Sequence, residues 1–475
     1  MSYRRLLISL LTLIVILMIS IAGGPGCANI IPPSGGPRDS LPPVLLKASP
    51  ADSSVNFSGN RLSFTFNEFI ELQNAQQALI ISPLPKNFPS VEYRLNTVTI
   101  KLKDTLETGT TYTFNFGDAI RDFTEVNVIR NFTYTFSTGN YIDSLELRGK
   151  VILAETGKAD TTLIVMLHTN ADDSAVVKEK PRYISKLDGK GNFVFKNLPS
   201  KTFYIYALKD DGGTRRYFDD KQLFAFADKP VVVNTKTDPV KLYAYAAKSA
   251  PPVTSVIPSV NLGRNRRNIP AESRLKYQTS LSNNQQDLLK DFIITFEEPL
   301  RFFDSSKILL YTDSAFNPAG LYNFEKDSTG KYISLQHNWK ENTLYHLVMN
   351  KDFAEDSTGK KLLKTDTLSF KTKKLSEYGS LKIKIKNLDI SLNPVLLILT
   401  GETIYKSLPM AGPEISQSLF PPGEYDLRIL DDRNKNGKWD PGEFFGKHLQ
   451  PEMVRPVERK ISVKPAFQNE FEITL

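Results

Sequence analysis

The sequence predicts an all-β chain of four tandem β-sandwich modules, and three observations carry that expectation. Its 475 residues exceed what one ordinary hydrophobic core serves, so several domains are required. Phe (29) and Tyr (19) are abundant while Trp (2), Met (6) and His (4) are scarce, a balance that suits pleated, half-buried strands. Apolar residues alternate with polar ones at period two, and two different strand patterns each occur twice.

The first element is a leader. "MSYRRLLISLLTLIVILMISIAGGPGC" sets Arg4 and Arg5 before the uncharged run Leu6 to Ile21, then small residues up to Cys27. That is the plan of a secretory signal peptide over residues 1–26. An apolar run of this length falls short of the ~20 residues a membrane span needs, and an uncleaved signal anchor is the other reading. Cys27 is the sole cysteine, so no internal disulfide can form. The tether 27–42, in "CANIIPPSGGPRDSLPP", has Pro and Gly without hydrophobic periodicity.

The "GPGC" stretch resembles the lipobox of bacterial lipoproteins, although Gly24 stands where such motifs usually carry Leu. With the "PPSGGPRD" tether it resembles the start of envelope lipoproteins from Bacteroidetes-type bacteria. The resemblance implies acylation of Cys27 and anchoring to a membrane, a linkage stable once more than one hydrocarbon chain is attached. Ala28 in place of Asp implies the outer membrane, on a face the sequence leaves open.

The modules follow in the order A, B, A′, B′. In A (43–140), Leu62, Phe64 and Phe66 alternate with polar residues, as do Val98, Ile100 and Leu102, and then Tyr112, Phe114 and Phe116. Each run predicts a strand with one buried face. "RLSFTFNEFIEL" (61–72) returns as "DFIITFEEPLRF" (291–302) in A′ (286–374), with Thr110 and Tyr112 answered by Thr343 and Tyr345. The pattern of A resembles the bacterial Ig-like domain of surface-layer and envelope proteins, which implies an antiparallel sandwich. In B (145–245), "NLPSKTFYIYALKDD" (197–211) returns as "LFPPGEYDLRILDDR" (419–433) of B′ (378–475) at a constant offset of 222 residues. B resembles the transthyretin-like or carboxypeptidase-regulatory-like sandwich. Residues 246–285 read as a linker or as an elaboration of a neighbouring sheet.

The formal charge of +8 is mild for this length, and the densest basic run, "GRNRRN" (263–268), lies in a Pro- and Ser-rich stretch, so nucleic acid is not an expected partner. One loop stands out chemically. In "DRNKNGKWDPGE" (432–443), Asp432, Asn434 and Asn436 offer oxygens at positions 1, 3 and 5 of a calcium loop. Gly437 permits the bend, Lys438 offers a carbonyl, Asp440 falls at position 9 and Glu443 at 12. The flanks are not helical, and Asn and Asp are also turn residues that hydrogen-bond their own backbone, so a Ca²⁺ site and a polar hairpin loop both remain open.

Elsewhere the chemistry is sparse. Adjacent Glu297 and Glu298 point to opposite faces of a strand and share no site. His168, His337, His346 and His448 are scattered, and no HExxH, paired-Cys or GxSxG motif accompanies them. Asp118 and Asp122 recur as Asp352 and Asp356, which predicts Asx-turn loops rather than catalysis. The expectation is therefore a non-enzymatic, lipid-anchored envelope protein with a structural, scaffolding or adhesive role and an envelope protein as partner. A glycan- or polymer-binding accessory is the alternative, and a hydrolase the remaining one.

Overall fold

The structure, a computed structural model, describes residues 2–22, 38–247 and 274–475. Cys27, most of its tether and the "GRNRRN" run lie outside the described residues. The chain divides into two compact units, Met1–Ile142 and Asp143–Leu475. Among the described residues no helix, Ser2–Ala22 included, is long and apolar enough to cross a membrane.

Module A is a sandwich. One sheet runs Leu45–Ser49, Arg61–Phe66, Thr97–Lys101, Ser90–Arg94 in spatial order, and the facing sheet runs Ile80–Ser82, Thr111–Gly117, Phe132–Ser137. Leu62, Phe64 and Phe66 are fully buried on the inner face, as the alternation requires. Phe64 meets Tyr134 edge-on at 4.7 Å, and Phe136 stacks between Tyr112 and Phe114. The strand Thr111–Gly117 departs from the one-buried-face expectation, because Thr111 and Thr113 of its outer face are buried too. Thr113 and Thr135 approach across the strands with their hydroxyls 3.4 Å apart. Beta-branched threonine serves there because it packs while keeping a hydrogen-bonding group.

Module A′ repeats this strand order. Tyr277–Thr279, Phe292–Phe296, Tyr332–His337 and Tyr322–Lys326 form one sheet, and Gln285–Gln286, Asp366–Thr372, Leu344–Met349 and Ile308–Thr312 continue the other. The end of the stretch read as a linker or as an elaboration of a neighbouring sheet takes the second role: Leu275 is in the core, and Tyr277–Thr279 pairs with Phe292–Phe296. The sandwich therefore begins before residue 286, and a strand this short carried too little alternation to reveal it.

B and B′ share a second topology. In B, Leu145–Leu153 lies between Asn192–Leu198 and Val240–Ala244; in B′, Gly379–Lys386 lies between Glu414–Phe420 and Gln468–Thr474. The first and last strands of each module pair in parallel, an exception to the otherwise antiparallel hairpin arrangement. The duplicated strands Thr202–Lys209 and Gly423–Asp431 sit centrally in the opposite sheets, where Phe203, Leu208, Tyr425 and Leu430 are buried as counterparts.

Candidate functional site

The loop 432–452 connects the central strand Gly423–Asp431 of B′ to Met453–Val463. Its first half is wound by side-chain oxygens accepting from backbone N–H groups, as short Asx turns dictate. The Asp432 carboxylate, buried, accepts from Asn436 N (3.2 Å) and Gly437 N (2.7 Å). Asn434 Oδ1 accepts from Asn436 N, and Asn436 Oδ1 accepts from Lys438 N at 2.7 Å. Gly437 takes the left-handed conformation (φ 74°) that closes the bend. The Asn434 and Asn436 amides both donate to Asp440 Oδ2, at 2.6 and 2.7 Å.

Of the residues singled out from sequence, Asp432, Asn434, Asn436 and Asp440 are brought together, and Lys438 joins through its backbone. Glu443 is not: its carboxylate pairs with Lys447 (2.7 Å), and its backbone bridges Leu449. The carboxylate that closes the loop is Glu452, which lies too far along the chain for the spacing to indicate. It is buried and accepts from Arg433 N (2.7 Å) and Asp440 N (3.1 Å). Burial pushes the Glu452 carboxyl above its ordinary value; those N–H bonds oppose the shift, and Asp432 and Asp440 add to it. Among the described residues no group of three or more His, Cys, Asp or Glu side chains is placed to hold a metal ion. The loop's oxygen set is instead two aspartates and two carboxamides. Two amide NH₂ groups converge on Asp440, while the carboxamide oxygens accept from the Asn436 and Lys438 N–H groups.

The second half of the loop is a plug. Phe444 is buried among residues of module B, with ring centroids 4.9 Å from Phe226, 5.3 Å from Phe224 and 5.6 Å from Tyr206. Polar contacts surround it: His448 Nε2 lies 2.7 Å from Asp173, and Gln450 donates to the Phe226 carbonyl at 3.0 Å. Val454 N donates to the Ala154 carbonyl (2.8 Å), and Lys158 pairs with Glu402. A Cβ on Gly442 would lie 2.7 Å from both the Leu449 carbonyl oxygen and the Tyr245 ring, so a larger residue fits only if the loop backbone shifts as well as the ring. A′ is joined to B′ through Tyr378, whose buried hydroxyl accepts from Leu288 N and donates to Asp287, both at 2.8 Å. Sequence reasoning missed the plug, because two phenylalanines in a polar loop carry no period.

The remaining candidates are structural. Glu297 pairs with Lys276 and Glu298 is exposed. Asp122 and Asp356 are buried hubs of Asx loops, Asp118 accepts from Asn131 N, and Asp352 pairs with Lys307. His337 lies against Trp339 and Tyr345, and His346 stacks on Phe316. His168 is buried, which pushes it down to about 4 and keeps it neutral, with no hydrogen-bond partner on Nε2.

Residues 39–138 match the family model of the bacterial Ig-like domain. No curated protein matches the chain. Among solved structures, the chain is similar to the TIE protein of Bacillus anthracis at 12% identity, covering 93% of this chain and 76% of that one with a TM-score of 0.18. It is similar to the N-terminal part of the bacterial S-layer protein SbsC at 16% identity, covering 44% and 45% with a TM-score of 0.16. An L,D-transpeptidase from Mycobacterium smegmatis is similar at 12% identity over 31% of this chain and 74% of that one, with a TM-score of 0.16. At such TM-scores these likenesses carry no functional weight.

Proposed function

We propose that the protein is a lipid-anchored, non-enzymatic structural component of the bacterial cell envelope, held at the outer membrane through Cys27. The observation that carries this reading is the Phe444 plug, which clamps B′ onto B and, with Tyr378 joining A′ to B′, fits three sandwiches in one compact unit. A spacer or scaffold has to hold its modules in a fixed arrangement, and a buried aromatic anchor does that. The bacterial Ig-like match of module A and the leader ending at one cysteine support the envelope assignment. Feeding cells a fatty-acid analogue should label the wild-type protein and leave Cys27→Ala unlabelled. Label absent from the wild type would refute the anchor.

We further propose that the loop 432–440 takes up Ca²⁺ in a structural role, favoured by the gathering of Asn434 and Asn436 on Asp440 in the turn that Asp432 winds. Hard oxygens of two aspartates and two carboxamides suit calcium, with carbonyls and water completing six to eight ligands. Trp439 reports on the site, since its indole donates to the Glu452 carbonyl at 2.8 Å. Millimolar Ca²⁺ should shift Trp439 emission and raise the melting temperature. Indifference of both to Ca²⁺ would remove the site.

A further inference from the structure

At one end of module A, four apolar side chains stand in solvent: Phe69 (59% exposed), Leu95 (63%), Phe123 (67%) and Val126 (47%). Their backbones adjoin. Phe123 N donates to the Phe69 carbonyl (2.9 Å), Ile70 N donates to the Leu95 carbonyl (3.0 Å), and Val126 N donates to Asp122 (2.9 Å). Leu95 and Val126 are held at φ 54° and 69°, left-handed values that a side chain disfavours and a β-branched one most of all.

Module A′ supplies an internal control. There Leu300 N donates to the Gly330 carbonyl, and Ser357 N donates to the Pro299 carbonyl, each at 2.8 Å. Gly359 precedes Lys360 in the Asp356 loop as Val126 precedes Asn127 in the Asp122 loop. The same left-handed positions thus carry Gly330 (φ 71°) and Gly359 (φ 84°), and the tip there reads Pro, Gly, Ser, Gly. The fold needs no large apolar side chain at these places. Module A carries four such residues, two of them against backbone preference, and strain of that kind persists where function holds it.

What covers the tip follows from where the chain enters. Arg38 donates to the Glu125 carbonyl (3.0 Å), and Asn127 donates to the Asp39 carbonyl (3.1 Å), which pins the incoming segment to this end of the module. Residues 28–37 separate that point from Cys27, a reach of at most about 40 Å even fully extended. An acylated Cys27 therefore keeps the bilayer within range of this tip, at the high effective concentration a short tether gives. The surrounding charge selects among lipids. Burial first and then Asp122, Asp39 and Glu125 push the Glu68 carboxyl up, while Arg38 lies on the Glu125 carbonyl and Arg121 pairs with Glu71, so the rim carries both signs, as a zwitterionic headgroup layer does.

We propose that the apolar tip formed by Phe69, Leu95, Phe123 and Val126 docks into a zwitterionic phospholipid surface, seating module A on the membrane that holds the anchor. This rests on the lipid-anchor reading. Two variants of the full-length protein separate the two claims: Phe123→Trp, and Ser357→Trp at the counterpart position in A′. Vesicles of phosphatidylcholine brominated on the acyl chains report both properties: flotation measures anchoring, and bromine quenching measures contact. Side chains that enter an interface by about 5–10 Å reach the quencher, so the indole introduced by Phe123→Trp should lose about half its emission and shift to the blue. The indole introduced by Ser357→Trp should stay unchanged. Protein that floats with the Phe123→Trp variant no more quenched than Ser357→Trp overturns the tip and leaves the anchor standing. Where no acyl group is found, the same pair is read with unanchored chain at excess lipid: selective quenching of Phe123→Trp still supports the tip, and equal emission overturns it. A Phe123→Trp signal that ignores lipid and shifts only with added envelope protein assigns the tip to a protein partner and overturns the proposal.

Discussion

Phe444→Ala is expected to cost the unit 143–475 about 3–5 kcal/mol, the range for deleting a buried aromatic ring. The ring lies in a pocket lined by Tyr206, Phe224 and Phe226, none of which is on its own module, so the cavity opens between B and B′. The loss should appear as a lower melting temperature and as splitting of one transition into two, because Phe444 is the most deeply inserted ring of the seam, which otherwise holds the Tyr217–Phe445 contact, the Val454–Ala154 backbone bond and side-chain polar pairs. The polar His448–Asp173 and Lys158–Glu402 pairs are worth at most about 1 kcal/mol each. Phe445→Ala is the control, since that ring is 42% exposed and should cost about 1 kcal/mol or less. Equal effects of the two substitutions would mean that Phe444 is not the clamp.

Asp122→Ala should destabilise module A by about 2–4 kcal/mol, the combined effect of several charge-assisted bonds whose donors lose their acceptor. The buried carboxylate accepts from Glu125 N, Val126 N and Asn127 N, at 2.5, 2.9 and 2.6 Å. Asp122→Asn keeps one acceptor oxygen and should fall between. Burial works against the charged form, but those N–H groups outweigh it and hold the carboxyl below its ordinary 3.8. The sign follows by linkage. The folded value is depressed, so the stabilisation is present in full above 3.8 and fades as the pH falls through the folded value. Thermal melts of the wild type and of Asp122→Asn should therefore converge below that window. A constant gap down to the lowest pH would separate the stabilisation from the Asp122 charge.

Much of this fold is legible in the sequence because strands with one buried face must alternate. Leu62, Phe64 and Phe66 announce their sheet, and the offset linking Phe203 to Tyr425 and Leu208 to Leu430 announces the duplication. Less legible are features fixed by contacts distant in sequence. Thr111 and Thr113 read as solvent-facing, and only the covering of their outer face makes them core. Residues 274–285 supply a strand too short to show a period. At the loop, spacing pointed to Glu443, yet the closing carboxylate is Glu452 at the start of the next strand. Phe444 carries no signal in the sequence, since its pocket belongs to residues more than two hundred positions earlier. The tip of module A is visible only by comparison with A′, because an exposed phenylalanine is ordinary until its duplicate proves to be proline or serine.

The claim on which the structural role rests is that B, A′ and B′ move as one body. Native-state hydrogen exchange over a denaturant series tests it most directly, read at the twin strands Thr202–Lys209 and Gly423–Asp431. Amides of both strands should merge onto a single opening isotherm, with one free energy and one denaturant slope. Strand Thr202–Lys209 opening at lower free energy while Gly423–Asp431 stays protected, or the reverse, would show independent beads on a string and contradict the clamped frame.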